Sequence, residues 1–262
     1  MAEDGLRGGF TNGLFLNGEI VPKLNYSLVV GNNLSSLGIK AANLTRDMAT
    51  SASLIWLPTT GEFGPRGGNG DFEHHEKLAT RFGASWCHSR ENRFNNIGTP
   101  SPDNTQVRLS DGVLFFETGA LAPNVTVEEA DYDIVSVDAG FKYKGFALHT
   151  EVSNRTLTDI NATGGPVPDK TIHDIGLSVQ ALYMLIPRTL CVYAVHTRLF
   201  DQYKRNPWEL GGGVNIYPAK SRSWRLNLQG MYVYKSASGG TFGLYASGQT
   251  GATYTAGVDI LL

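Results

Sequence analysis

The chain has 262 residues, of which 18% are charged and 31 are glycine, so it is poorer in charge and richer in glycine than a typical soluble domain. An aromatic content of 10% argues against disorder, and a net charge of −2 gives no footprint for nucleic acid. The longest charge-free apolar stretch, residues 175–187, falls short of the roughly 20 residues that a membrane-spanning helix needs.

Apolar and polar residues alternate with a period of two along most of the chain. From Thr253 to Leu262, for example, the even positions are apolar and the odd ones mostly polar or small. This period is typical of β-strands, whose successive side chains point to opposite faces. We predict eleven strands, at about residues 14–20, 24–32, 49–57, 77–88, 135–143, 146–152, 173–185, 190–197, 208–217, 224–234 and 253–262.

The connections between these strands alternate between short turns and long loops. Long loops are predicted at residues 33–48, 89–130, 153–172, 198–207 and 235–251. Short turns on one side and long loops on the other are typical of outer-membrane barrels. The connection 58–76 is long where a short turn is expected, and we assign it to the short-turn side.

Aromatic residues of the apolar parity gather beside the short turns. Such residues form a girdle at a membrane interface, where an amphipathic ring lies at headgroup level. The predicted girdle consists of Trp56, Tyr143, Phe146, Tyr183 and Trp224.

The opposite parity is polar, whereas a soluble barrel would bury apolar side chains in its interior. We therefore interpret this parity as the wall of a water-filled lumen. The predicted pore-lining residues are Arg81, Asp138, Lys142, Glu151, Glu209 and Arg225. With Lys144, Glu19 and Asp259 added, the inward charges are mixed, which favours weak or no ion selectivity.

These features predict one all-β domain over residues 1–262, an antiparallel transmembrane β-barrel with eleven or twelve of its strands present. Bacterial barrels usually have an even number of strands and periplasmic termini. Counting back from the last strand places residues 1–13 outside. We therefore expect an odd number of strands, and a secretion signal, upstream of Met1. A soluble all-β protein is the less favoured alternative.

Several segments resemble the phosphate-selective porin O/P family of bacterial outer-membrane proteins. They are residues 61–83, 111–123 and the run Asn-Pro-Trp-Glu-Leu-Gly-Gly-Gly-Val-Asn-Ile-Tyr-Pro at 206–218, together with the last fifteen residues of the chain. The resemblance covers nearly the whole chain as the C-terminal portion of a longer protein. Leu262 departs from the aromatic residue that commonly ends such barrels.

The resemblance implies a sixteen-stranded barrel in the cell outer membrane of a Gram-negative bacterium, often a homotrimer, in contact with lipid and lipopolysaccharide. It implies passive diffusion of small hydrophilic solutes or ions, with anions as one candidate class. The alternative is a barrel that acts through its long loops, as an adhesin, a receptor or a rim-site hydrolase. No catalytic triad is present in the sequence, so we expect a protein without enzymatic activity and without cofactors.

The longest loop is a candidate for the constriction. Residues 107–117 are apolar enough to fold inward, which would place Arg108, Asp111 and Glu117 at the narrowest point. The alternative is that this stretch forms a twelfth strand.

Two further motifs have a structural explanation. In residues 73–76, Glu-His-His-Glu, adjacent histidines on an extended chain would point to opposite faces, so we expect a polar turn and no metal site. The glycine triplet 211–213 lies inside a predicted strand, where glycine marks a bend or a close backbone approach.

Overall fold

The computed structural model describes residues 13–32, 47–63, 70–93, 107–237 and 248–260. These residues form a single antiparallel sheet of eleven strands in chain order, with no helix among them. The strands are β1 (Gly13–Val21), β2 (Leu24–Asn32), β3 (Met48–Trp56), β4 (Ala79–Asn92), β5 (Thr126–Tyr143), β6 (Phe146–Thr163), β7 (Ile172–Ile186), β8 (Leu190–Asp201), β9 (Trp208–Ile216), β10 (Trp224–Tyr234) and β11 (Gly251–Ile260).

The sheet is open, because β1 pairs only with β2 and β11 only with β10 in the described part of the chain. All eleven predicted strands are present. The predicted features of residues 1–12 and Leu262 lie outside the described residues. In the described ranges, no helix is long and apolar enough to cross a membrane.

Two strands are much longer than the sequence predicts. β5 begins at Thr126 and β6 ends at Thr163, within stretches predicted as loops. The pattern changes there, because Ala130 and Leu157 are apolar residues on the face of Asp138, where residues 107–123 cover them, whereas Asp131 lies on the opposite face. Pairing nevertheless continues, with ion pairs from Arg90 on β4 to Asp131 on β5 and to Asp159 on β6.

The two faces of the sheet differ in composition, as alternation predicts. The face of Val135, Val137, Phe141 and Tyr143, which we call the apolar face, is exposed to the surroundings. The opposite face, which contains Asp138 and is called the polar face, carries ion pairs and the packed segments described below. This distribution is the reverse of a soluble sheet, which buries its apolar side.

The connections lie as the alternation predicts. Short turns at residues 22–23, 144–145, 187–189 and 217–223 share one end of the sheet, the short-turn end, with the long connection 57–78. Residues 33–47, 93–125, 164–171, 202–207 and 235–250 connect strands at the opposite, long-loop end. The assignment of the 58–76 connection to the short-turn side is therefore confirmed.

Gly213 shows why the glycine triplet lies inside a strand. A Cβ atom at Gly213 would lie 2.3 Å from the backbone oxygen of Leu228 and 2.7 Å from the hydroxyl oxygen of Tyr193. Tyr193 extends over this glycine to donate a hydrogen bond to Gln229 on β10, at 3.0 Å. The close backbone approach predicted for the triplet is confirmed at this position.

We therefore expect Gly213→Ala to lower the stability of the sheet by about 1–3 kcal/mol, the usual cost of overpacking. Gly257→Ala is the matched control, because a Cβ there would meet nothing within 4 Å. Thermal unfolding of both variants measures the difference. Equal melting temperatures would contradict the role given to Gly213.

Candidate pore face and the segments that cover its ends

One ion pair marks the middle of the polar face. Arg81 on β4 contacts Asp138 on β5 at 2.7 Å, and both side chains are mostly buried. His149 on β6 lies 3.3 Å from the same carboxylate. Gly83 makes room for this carboxylate, since a Cβ at Gly83 would overlap it. Two predicted pore-lining residues, Arg81 and Asp138, therefore neutralise one another.

A second ion pair lies at the edge of the sheet that β11 forms. Arg225 on β10 contacts Asp259 on β11 at 2.7 Å. Next to it, the amide of Asn227 donates hydrogen bonds to the hydroxyl oxygen of Tyr193 at 2.8 Å and to Asn215 at 2.9 Å. These contacts join β8, β9 and β10 on the polar face by uncharged groups.

The described residues bound two cavities against the polar face. The larger, of about 740 Å³, is bounded mainly by β6–β10, and its lining includes Glu151 and Glu209. The smaller, of about 370 Å³, includes Arg222 and Arg225 in its lining. Gln180 on β7 lines both cavities. Of the predicted pore-lining residues, Glu151, Glu209 and Arg225 thus border open space.

Lys142 lies on the predicted face but does not line open space, which corrects the sequence prediction. Its side chain is 0% exposed, because the connection 57–78 folds over it. The ammonium group donates a hydrogen bond to the carbonyl oxygen of Phe63 at 2.5 Å and lies 4.3 Å from the centre of the Phe63 ring. The alternation correctly predicted the face of the sheet on which Lys142 lies, but it contained no sign that another segment covers this side chain.

Lys144 also departs from the inward position that the sequence predicts. It is exposed in the turn between β5 and β6, with a positive φ of 47°. Its ammonium group lies 5.2 Å from the centre of the Tyr143 ring, which is on the apolar face. The turn interrupts alternation, so parity counted along the strand does not apply to Lys144.

A set of hydrogen bonds fastens the connection 57–78 to the short-turn end. The buried carboxylate of Asp71 accepts a hydrogen bond from the backbone N–H of Gly145 at 2.7 Å. The ring of His75 lies between Asp71 and Glu62, with its Nε2 atom 2.6 Å from the Glu62 carboxylate. The backbone N–H of Lys144 donates to the carbonyl oxygen of His75 at 2.9 Å.

An aromatic anchor in the same connection fills an apolar site on the polar face. Phe72 packs with Met184 and Cys191, and its ring meets that of Tyr217 edge-on at 4.9 Å. The guanidinium of Arg222 lies over the Phe72 ring and forms an ion pair with Glu73 at 2.7 Å. The sequence contains a signal for this packing that was not used in the prediction: Phe63 and Phe72 are large apolar residues within a glycine-rich stretch.

Residues 107–123 cover the long-loop end of the polar face. Leu109, Phe115 and Phe116 are buried against β5–β7, in a cluster that also contains Val127, Ala130, Leu157 and Ile172. Within this segment, strand-type pairing is limited to a single isolated bridge between Arg108 and Leu114. The twelfth-strand alternative is therefore wrong, and the stretch folds against the polar face as the first interpretation predicts.

The three candidate constriction residues have different environments. Asp111 forms an ion pair with Arg205, Arg108 donates a hydrogen bond to the carbonyl oxygen of Gly112 at 2.8 Å, and Glu117 is exposed. None of the three belongs to the lining of the two cavities. Their role at a constriction remains a prediction. Arg155 on β6, which was not predicted as a site residue, holds this segment in place. Its guanidinium donates a hydrogen bond to the carbonyl oxygen of Arg108 at 2.6 Å and forms an ion pair with Asp174.

The aromatic residues predicted to form a girdle are all on the apolar face beside the short-turn end. Trp56 ends β3, and Trp224 begins β10. Tyr143 and Phe146 flank the β5–β6 turn, and Tyr183 pairs with Phe146. All five side chains are exposed by between 38% and 48%.

A second aromatic group, which the sequence did not reveal, lies on the same face towards the long-loop end. Trp208 on β9 packs against Tyr232 and Tyr234 on β10, at ring-centre distances of 5.5 and 5.9 Å. The pairing of Trp208 with Tyr234 across the strands brings these rings together. The two strands are joined at the opposite end, so sequence proximity gives no sign of the contact.

The motif Glu73–Glu76 holds no metal-ligand set, since the described ranges contain no group of three or more side chains able to bind a metal ion. No family model, curated protein or solved structure matches this chain.

The His75 contacts lead to a pH dependence. Burial disfavours the charged ring, but hydrogen bonds to Asp71 and Glu62 outweigh it and raise the pKa of His75 above 6.5. The stabilisation is complete below the unfolded-state pKa and disappears as the pH rises through the folded-state pKa. We expect amide hydrogen exchange at Lys144 and Gly145, corrected for its intrinsic pH dependence, to accelerate over that range. In His75→Gln the corrected rates should be independent of pH, and an unchanged profile would contradict this assignment.

Proposed function

We propose that this sheet is the wall of a transmembrane β-barrel, and that the chain acts as an outer-membrane porin for passive diffusion of small hydrophilic solutes or ions. The observation that carries the proposal is the reversed distribution of residues. Apolar side chains are exposed on one face, while the other face carries ion pairs and open cavities. Lipid would cover the first face and water would fill the second.

The dimensions of the apolar face support this proposal. From Val135 to Tyr143 the β5 strand advances eight residues, or about 26 Å at roughly 3.3 Å per residue. Trp224 and Tyr232 are separated by the same number of residues on β10. With a strand tilt of about 40°, this length corresponds to a height of about 20 Å, close to the apolar band of roughly 25 Å in outer-membrane barrels.

The edges of the sheet bear on how such a barrel would close. Unpaired backbone groups in lipid cost several kcal/mol each, so β1 and β11 need partners within a membrane. We propose that further strands close the barrel, with sixteen in total as in the family that the sequence resembles. On the same resemblance, we propose that the complete barrel contacts lipopolysaccharide and assembles as a homotrimer.

The alternative function through long loops has less support. It depends on residues 89–130 and 153–172. In the described ranges, much of the first stretch is strand or packs against the polar face, and much of the second belongs to β6. Less chain is therefore available for a receptor or adhesin surface than the sequence suggests.

Conductance in planar lipid bilayers tests the porin directly. We expect the full-length protein, in which further strands close the barrel, to produce stepwise ionic currents when it is purified in detergent and added to a bilayer. A full-length protein that inserts into lipid vesicles in folded form but passes no ions would overturn the proposed function.

A charge on the apolar face tests the membrane assignment. We expect Val137→Lys to disfavour folding into lipid vesicles by about 1–3 kcal/mol, because a lysine on the lipid face costs about 2–4 kcal/mol at the bilayer centre and less towards the interface. Ser136→Lys is the matched control, because it adds the same charge to the neighbouring position on the polar face. Urea titrations in lipid measure both variants, and equal destabilisation would contradict the assignment of the faces.

A further inference from the structure

The charges of the polar face are less balanced than their number in the sequence suggests. In the described strands, the cationic side chains of this face are Arg81, Lys142, Arg155 and Arg225. Arg81, Arg155 and Arg225 pair with Asp138, Asp174 and Asp259. Lys142 is fully buried under Phe63. Each of these cations is therefore neutralised or shielded from the open space.

Two carboxylates of the same face border the larger cavity. Glu151 on β6 and Glu209 on β9 are partly exposed, and neither forms an ion pair with a described residue. Glu209 accepts a hydrogen bond from the Thr197 hydroxyl at 2.8 Å. Arg198, the cationic residue in the cavity lining, has the parity of the apolar face, and its guanidinium lies 4.7 Å from the centre of the Phe200 ring.

The register places these carboxylates in one row across the sheet. Glu151 pairs with Ser178, Ser178 with Thr197, and Thr197 with Glu209. Three strand spacings of about 4.8 Å separate the two ends by about 14 Å along the sheet. This distance is too large for one chelated ion, so the row acts as an extended wall of negative potential with hydroxyl groups between its ends.

We propose that this wall makes the pore prefer cations over anions, and that Glu151 and Glu209 are the specificity-determining residues. The inference rests on the proposed porin function. Carboxylates attract cations at a pore wall, as in channels that use rings of aspartate and glutamate. Along the described strands anions gain no compensating attraction, because the arginines of the polar face pair with carboxylates and Lys142 is buried. The preferred solutes are small hydrated cations.

The reversal potential across a potassium chloride gradient in a planar bilayer tests this selectivity. We expect the unaltered full-length protein to have a cation-to-anion permeability ratio well above 1 near 0.1 M salt. The ratio should fall towards 1 near 1 M salt, where the Debye length shrinks to about 3 Å.

Substitutions identify the residues responsible. Glu151→Gln and Glu209→Gln should each lower the ratio, and the double variant should abolish the preference. Glu76→Gln, an exposed carboxylate in the 57–78 connection, should leave it unchanged. Arg81→Gln frees the Asp138 carboxylate and should raise the ratio, an opposite change that general damage to the fold would not produce.

The possible outcomes separate the two proposals. An anion-selective reversal potential, or an unchanged ratio in the double glutamine variant, overturns the cation preference and leaves the porin function intact. A complete absence of conductance overturns both.

Discussion

The two-residue alternation of the strands is the constraint on which the rest of the structure depends. Because successive side chains point to opposite faces, one pattern creates both an exposed apolar face and a polar face with ion pairs. A slip of β5 by one residue would turn Asp138 onto the apolar face and leave Arg81 on β4 without its carboxylate partner. The strand pairing and the chemistry of each face are thus determined together, from β1 to β11.

Packed segments divide the polar face into regions of different charge. At the short-turn end, the connection 57–78 buries Lys142 and inserts Phe72 beside Arg222. At the long-loop end, residues 107–123 bury Phe115 and Phe116. Between these ends, cavities remain against β6–β10. The segments therefore decide which charges of the wall meet the open space, and this sorting underlies the inferred preference for cations.

The two proposals depend on different parts of the molecule. The porin function depends on the apolar face, on its aromatic groups near both ends, and on the presence of open space on the other side. The cation preference depends on a few ion pairs and on the row from Glu151 to Glu209. The first is a property of the whole sheet, whereas the second is a property of individual side chains that can be altered singly.

The sequence by itself determined where eleven strands lie, how their connections alternate and which face the residues within each predicted strand occupy, because a period of two is a local property of the backbone. It also predicted the position of Trp56 and Trp224 beside the short turns. Only the tertiary structure decided that β5 and β6 extend through charged residues, that residues 107–117 form no strand, and that Lys142 is covered. These outcomes depend on contacts between residues far apart in the chain, such as Lys142 with Phe63 and Arg90 with Asp159. Alternation within one strand contains no information about such partners.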